Sequence, residues 1–163
     1  MDDPIRKQKT YTPLEAKRKA ESYCAYQERS QQEVRDKLYQ WGLHSKDVEN
    51  IISYLIENNF LNEERFAKAY VLGKFRIKGW GRIKITQGLK LKQVSAPLIK
   101  IAMKEIDPND YFEKLRTIIE KKSALIKESD PYKHRNKLYQ YALGRGYENN
   151  LILEILKDNG LEG

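Results

Sequence analysis

The chain has 163 residues, with 31 Lys and Arg against 23 Asp and Glu, a formal net charge of +8 and 40% hydrophobic residues. That length suits one domain or a few small repeats sharing a modest core, and the lone Cys24 excludes an intrachain disulfide or a CxxC metal site. No stretch approaches the length of a membrane span, and the first residues, MDDPIRKQKT, lack the apolar segment of a secretory signal, so a cytoplasmic protein without a membrane role is expected.

Residues 1–12 read as a mobile N-terminal tail. Thr12-Pro13-Leu14-Glu15 then supplies an N-cap, a first-turn proline and a glutamate able to reach back to the cap, which is a capping box. Ser30-Gln31-Gln32-Glu33 repeats the device, so one helix should end near Glu28 and a second begin at Gln31. Val34, Leu38 and Trp41 form the apolar stripe of that second helix, and Gly42 ends it. A third helix after Ser45 turns Val48, Ile51, Ile52 and Leu55 inward. Residues 13–60 therefore form a first three-helix repeat.

The pattern recurs twice. Aligning KLYQWGLHSKDVENIISYL with GLKLKQVSAPLIKIAMKEI and ALGRGYENNLILEIL pairs Leu38 with Leu89 and Ala142, Leu43 with Val94 and Tyr147, and Val48 with Ile99 and Ile152. Asn62 caps the first helix of a second repeat, 61–106, and Asp107-Pro108 and Asp130-Pro131 punctuate a third, 107–163. Repeats of about fifty residues bury little surface alone and stack on their neighbours. The expected fold is all-α, an elongated, curved array of three tandem three-helix repeats.

Charge is distributed unevenly over these repeats. From Arg65 to Lys104 the chain carries eleven Lys and Arg and no Asp or Glu. Subtracting those eleven leaves 20 basic residues against 23 acidic ones, so the entire positive excess sits in the middle repeat. A basic patch confined to one region is the footprint of a polyanionic partner.

Within it, Phe66, Tyr70, Gly73 and Ile77 fall within about 60° on a helix expected from Asn62 to Lys78, and are read as its core face. Phe75 lies about 180° from Phe66, where it either stacks on a base or partner or packs against the adjacent repeat. Gly79-Trp80-Gly81 forms the turn to the next helix, and Trp80 either plugs the repeat core or faces a partner from its rim. Lys74, Arg76, Lys78, Arg82, Lys84, Lys90 and Lys92 are the candidates for contact with DNA phosphate or an acidic protein surface. Arg65, after Glu63 and Glu64, reads instead as an ion-pair partner for a neighbouring repeat. His44 and His134 lack zinc-ligand spacing, and no GxSxG, HExxH, P-loop or Rossmann motif is present, so no catalytic residue, metal or cofactor is expected.

The stretch LNEERFAKAYV followed by KFRIKGWGRIKI, set in a threefold helical pattern, resembles the RecX family, regulators of the bacterial recombinase RecA. The resemblance runs from Leu14 to about Asn159 and is most specific over Leu61 to Ile85. It implies a non-enzymatic regulator that associates with the RecA–single-stranded DNA filament, restrains its ATP hydrolysis and strand exchange, and binds DNA weakly by itself. Gln87-Gly88-Leu89 and Lys92-Gln93-Val94 depart from the family pattern, and Gly88 should fray the second helix of the middle repeat. A monomer is expected, since no exposed heptad seam appears. The competing reading is a sequence-tolerant nucleic-acid-binding module of helix-turn-helix-like repeats that acts without RecA.

Overall fold

Nine α-helices and no strands occur among residues 10–159, the residues described by the computed structural model. In chain order they are α1 (Pro13–Tyr26), α2 (Gln31–Gln40), α3 (Ser45–Glu57), α4 (Glu63–Arg76), α5 (Arg82–Leu91), α6 (Ala96–Met103), α7 (Pro108–Leu125), α8 (Pro131–Gly144) and α9 (Asn149–Asp158). They group into two compact units: one runs to Ala67 and includes Lys92–Val94, and the other comprises Lys68–Leu91 and the residues from Ser95 onward. The middle repeat is thus divided between the units.

Capping chemistry explains where most helices begin. Thr12 and Glu15 form the complete capping box, with the Glu15 amide donating to Thr12 Oγ1 at 3.2 Å and the Thr12 amide donating to Glu15 Oε1 at 3.3 Å. At α2 only half of the expected box forms. Ser30 Oγ accepts from the Glu33 amide at 3.0 Å, but the Glu33 carboxylate turns to Lys92, 3.0 Å away, and Glu63 Oε1 instead accepts from the Gln31 amide at 2.9 Å. Asn62 caps α4 by accepting from the Arg65 amide at 2.9 Å, and Asp107 and Asp130 cap α7 and α8 ahead of their first-turn prolines.

In the first unit the core comes from one face of each helix: Ala16, Ala20 and Cys24 on α1, Val34 and Leu38 on α2, and Val48, Ile51, Ile52 and Leu55 on α3, closed by Leu61. Burial pushes the Cys24 thiol up to about 11, which leaves it protonated and inert. Trp41 sits at the edge of this core, edge-on to Tyr11 and Tyr23, and its carbonyl accepts from the Tyr11 amide at 3.1 Å. Tyr11 and Thr12 therefore belong to the folded unit, while residues 1–9 of the expected tail lie outside the described residues. Arg65 meets Glu28 at 2.5 Å and donates to the Asn59 carbonyl at 3.0 Å, the cross-repeat pairing anticipated for it.

The internal repeat is visible in burial. Leu38, Leu89 and Ala142, then Leu43, Val94 and Tyr147, then Val48, Ile99 and Ile152 are all buried. Backbone geometry follows the same register: Gly42, Gln93 and Gly146, at equivalent positions between the second and third helices, have φ of 87°, 59° and 94°. Glycine tolerates this region, whereas an L side chain in it costs about 1–2 kcal/mol. Because glycine also loses more entropy on folding, Gln93→Gly is expected to raise stability by a net amount of about 0.5–1 kcal/mol in urea unfolding. A loss of stability would mean that the left-handed turn is absent.

Two expectations for the middle repeat are corrected. The core face of α4 is not Phe66, Tyr70, Gly73 and Ile77: the buried residues are Phe66, Ala67, Val71 and Phe75, and Ile77 is 82% exposed beyond the helix end at Arg76. Nor does Gly88 fray α5, which continues to Leu91. A Cβ at Gly88 would stand 2.0 Å from Tyr70 Oη and 3.0 Å from its Cζ, so the glycine makes room for a ring packed on the helix. At Gly73, inside α4, an added Cβ meets nothing within 4 Å. Gly73→Ala is therefore expected to stabilise by about 0.5–1 kcal/mol, and Gly88→Ala to destabilise despite the same gain in helix propensity. Thermal melts of the two variants moving in the same direction would contradict this packing.

Candidate functional site

In the second unit the start of α5 docks onto the turn between α8 and α9 through two backbone hydrogen bonds. The Gly81 amide donates to the Arg145 carbonyl at 2.8 Å, and the Ile83 amide to the Gly146 carbonyl at 3.0 Å. A Cβ at Gly81 would lie 2.3 Å from Gly146 O, and one at Gly146 would lie 2.3 Å from Lys84 Cβ. Gly79, at φ 67°, offers its carbonyl to the buried Tyr147 hydroxyl at 3.0 Å, and Arg145 Nη2 donates to the Lys78 carbonyl at 2.8 Å. The glycines flanking Trp80 thus fix the α4–α5 turn and the side chains it carries.

Three of the candidate residues converge on that turn. Lys74 Nζ lies 4.8 Å from the Trp80 ring centroid and 5.3 Å from that of Tyr70, while Lys84 Nζ lies 4.6 Å from the Trp80 ring. Trp80 is partly exposed, and its amide donates to the Lys74 carbonyl at 3.0 Å. An indole beside two ammonium groups pairs an aromatic surface with positive charge, the combination that holds a base and its phosphate or an acidic protein segment. Two such cations are able to attract a polyanion, and the ring offers contact area.

The other candidates do not join them. Phe75 is 6% exposed and stacks on Tyr111 with centroids 5.9 Å apart, so it packs inside the unit and is not a partner-facing ring. Arg82 is consumed by structure: Nη1 meets Glu148 Oε2 at 2.7 Å, its guanidinium lies 3.8 Å from the Tyr111 ring centroid, and its amide donates to the Tyr111 hydroxyl oxygen at 3.0 Å. Tyr111 in turn donates to Glu148 Oε1, and burial, then this carboxylate, pushes its hydroxyl far above the usual range and keeps it a donor. Lys92 belongs to the first unit, where it pairs with Glu33. On α5, Lys90 is exposed but about 120° around the helix from Lys84. Arg76, at the end of α4, and Lys78, in the turn, are exposed, and Lys114 Nζ donates to the Arg76 carbonyl at 3.2 Å.

Beside Lys78 a cleft of about 290 Å³ opens whose other cations, Lys114, Lys121, Lys122 and Arg145, all come from the third repeat. Sequence reasoning missed these four because acidic residues are interleaved with them, so the segment has no charge run. A helical wheel of α7 would have found three of them: Lys114, Ile118, Lys121, Lys122 and Leu125 occupy an arc of about 100°, with Glu113 and Glu120 about 100–120° from Lys114 on the other side. Among the described residues no group of three or more His, Cys, Asp or Glu is placed to hold a metal ion, and no helix is long and apolar enough to cross a membrane.

Three family models match in chain order: "RecX, first three-helix domain" over residues 16–55, "RecX, second three-helix domain" over 62–103 and "RecX, third three-helix domain" over 109–156. A Vibrio campbellii protein named Regulatory protein RecX is 35% identical over 143 residues, which are 86% of this chain and 89% of the relative. Namesakes from Clostridium perfringens and Clostridium acetobutylicum are each 33% identical over 79% and 89% of this chain. The chain spans 61% of the length of the first and 69% of the second. Among solved structures, the crystal structure of RecX from Lactobacillus salivarius superposes with a TM-score of 0.81 at 25% identity, covering 92% of this chain and 97% of that one. A second crystal structure, of a regulatory protein RecX, has a TM-score of 0.82 at 20% identity over 90% of this chain and 73% of that one, and shares the fold.

Proposed function

Because the chain belongs to the RecX family, we propose that it is a non-enzymatic regulator that binds RecA and the RecA–single-stranded DNA filament and lowers the filament's ATPase and recombinase activities. The observation that carries this reading is the ordered match of all three three-helix domains within one chain, alongside likeness over 86% of this chain to a relative named as a regulatory protein. The Lys74–Trp80–Lys84 group is the contact offered by the middle repeat, to DNA phosphate or an acidic filament surface, while the first and third repeats meet RecA protomers. A helical, repetitive partner engaged at several points needs no deep pocket, since modest contacts held on one scaffold add up through high effective concentration. The protein acts in the cytoplasm as a monomer.

The test is RecA's ATPase rate on single-stranded DNA as the protein is titrated in. The rate should fall at well below one molecule per RecA, because a regulator of filament growth acts on ends and on many protomers at once. An unchanged rate at saturation, with tight binding to naked DNA in the same buffer, would hand the function to the module that acts without RecA.

A further inference from the structure

We propose that the groove between α7 and α8 is a direct binding site for single-stranded nucleic acid, separate from the Lys74–Trp80–Lys84 group and used by the protein without a filament. The groove consists of two adjoining depressions that share Lys122, Leu125 and Tyr141, of about 290 and 600 Å³. Lys78, Lys114, Lys121, Lys122 and Arg145 line the first without any carboxylate, and none of the five forms an ion pair among the described residues. Lys127 carries the positive lining into the second.

The lining is not uniformly charged. Ile77 and Leu125, 82% and 73% exposed, stand at the same groove as the cations, and Tyr141 forms part of its wall. Lys122 Nζ lies 4.6 Å from the Tyr141 ring centroid and the Arg145 guanidinium 5.7 Å, so both charges are held at the groove rather than swinging free. Five cations interleaved with exposed apolar surface match a chain that alternates phosphates with flat, apolar base faces. An acidic peptide would use the charges but leave Ile77 and Leu125 without partners. Lys114 and Leu125, eleven residues apart on α7, set a groove length of about 16 Å, enough for several phosphates of one strand and too short for a helical turn of duplex.

The experiment is equilibrium binding of a short fluorescent oligothymidylate to the full chain, with no RecA present, over a series of salt concentrations. Five neutralised phosphates on a single strand give a slope of log affinity against log salt near about −3.5, and removing two gives about −2. The double variant Lys121→Gln with Lys122→Gln should therefore show that shallower slope and bind roughly tenfold to thirtyfold more weakly at 0.1 M salt. Arg18→Gln with Lys46→Gln, both exposed in the first repeat and outside either candidate site, should leave the slope within about half a unit of the parent. Both pairs lie at the surface, and far-ultraviolet circular dichroism checks that they fold. Binding lost in the second pair but kept in the first would overturn the assignment, as would displacement of the oligonucleotide by an equal concentration of oligoglutamate of matching charge. Since RecA is absent, failure here leaves the regulatory reading standing, and failure of that reading leaves this site intact.

Discussion

Gly146→Ala is expected to lower unfolding stability by about 3 kcal/mol in urea titrations, a large fraction of the roughly 5–15 kcal/mol that native proteins possess. Two costs add. The residue has φ of 94°, where an L side chain is disfavoured by about 1–2 kcal/mol, and its new methyl would stand 2.3 Å from Lys84 Cβ and 2.6 Å from the Lys84 amide nitrogen. These contacts involve helix backbone rather than a flexible side-chain end, so relief requires moving α5 off the α8–α9 turn, an overpacking cost of about 1–3 kcal/mol. Gly144→Ala, two residues earlier, is the control, since a Cβ there meets nothing within 4 Å. If both variants unfold alike, the close docking between these elements is absent.

Phe75→Ala should cost about 3–4 kcal/mol, as expected for a large buried aromatic. The ring is 6% exposed and stacks on Tyr111, whose own ring lies 5.1 Å from that of Tyr147. Truncation removes one end of this three-ring column and opens a cavity beside Tyr111, which is anchored by Glu148 and Arg82 and cannot collapse freely. A ring that served a partner instead would leave stability within about 0.5 kcal/mol of the parent when removed, and only binding would suffer. Urea unfolding of this one variant separates the two roles.

Much of the fold was legible because its signals are local. Thr12, Asn62, Asp107 and Asp130 announce helix starts through capping chemistry that needs only a few residues, and the repeat register predicted nine positions that are all buried. What failed depended on partners distant in sequence. Phe75 looked exposed on an isolated α4 because its wall, Tyr111 on α7, is 36 residues away. Gly88 looked like a weak point because the Tyr70 ring that fills its space comes from another helix. Glu33 left its capping box for Lys92, and Arg82 left the surface for Glu148, both through long-range ion pairs that no spacing encodes.

The candidate site divides in the same way. A run of eleven cations without an acid identified the middle repeat, and Lys74, Trp80 and Lys84 do meet there. The charge run could not separate free cations from paired ones. It was also blind to the third repeat, where Glu113 and Glu120 are interleaved along the chain with Lys114, Lys121 and Lys122 but lie on a different side of α7 from them.

The central claim, a regulator directed at the RecA filament, is tested most directly by comparing the protein's affinity for RecA assembled on single-stranded DNA with its affinity for the same DNA bare, at one salt concentration near 0.15 M. Because the filament adds protein contacts to whatever the DNA offers, its dissociation constant should be at least about tenfold lower, equivalent to roughly 1.4 kcal/mol. Equal affinity, or tighter binding to bare DNA, would contradict the account and identify the chain as a nucleic-acid-binding module in its own right.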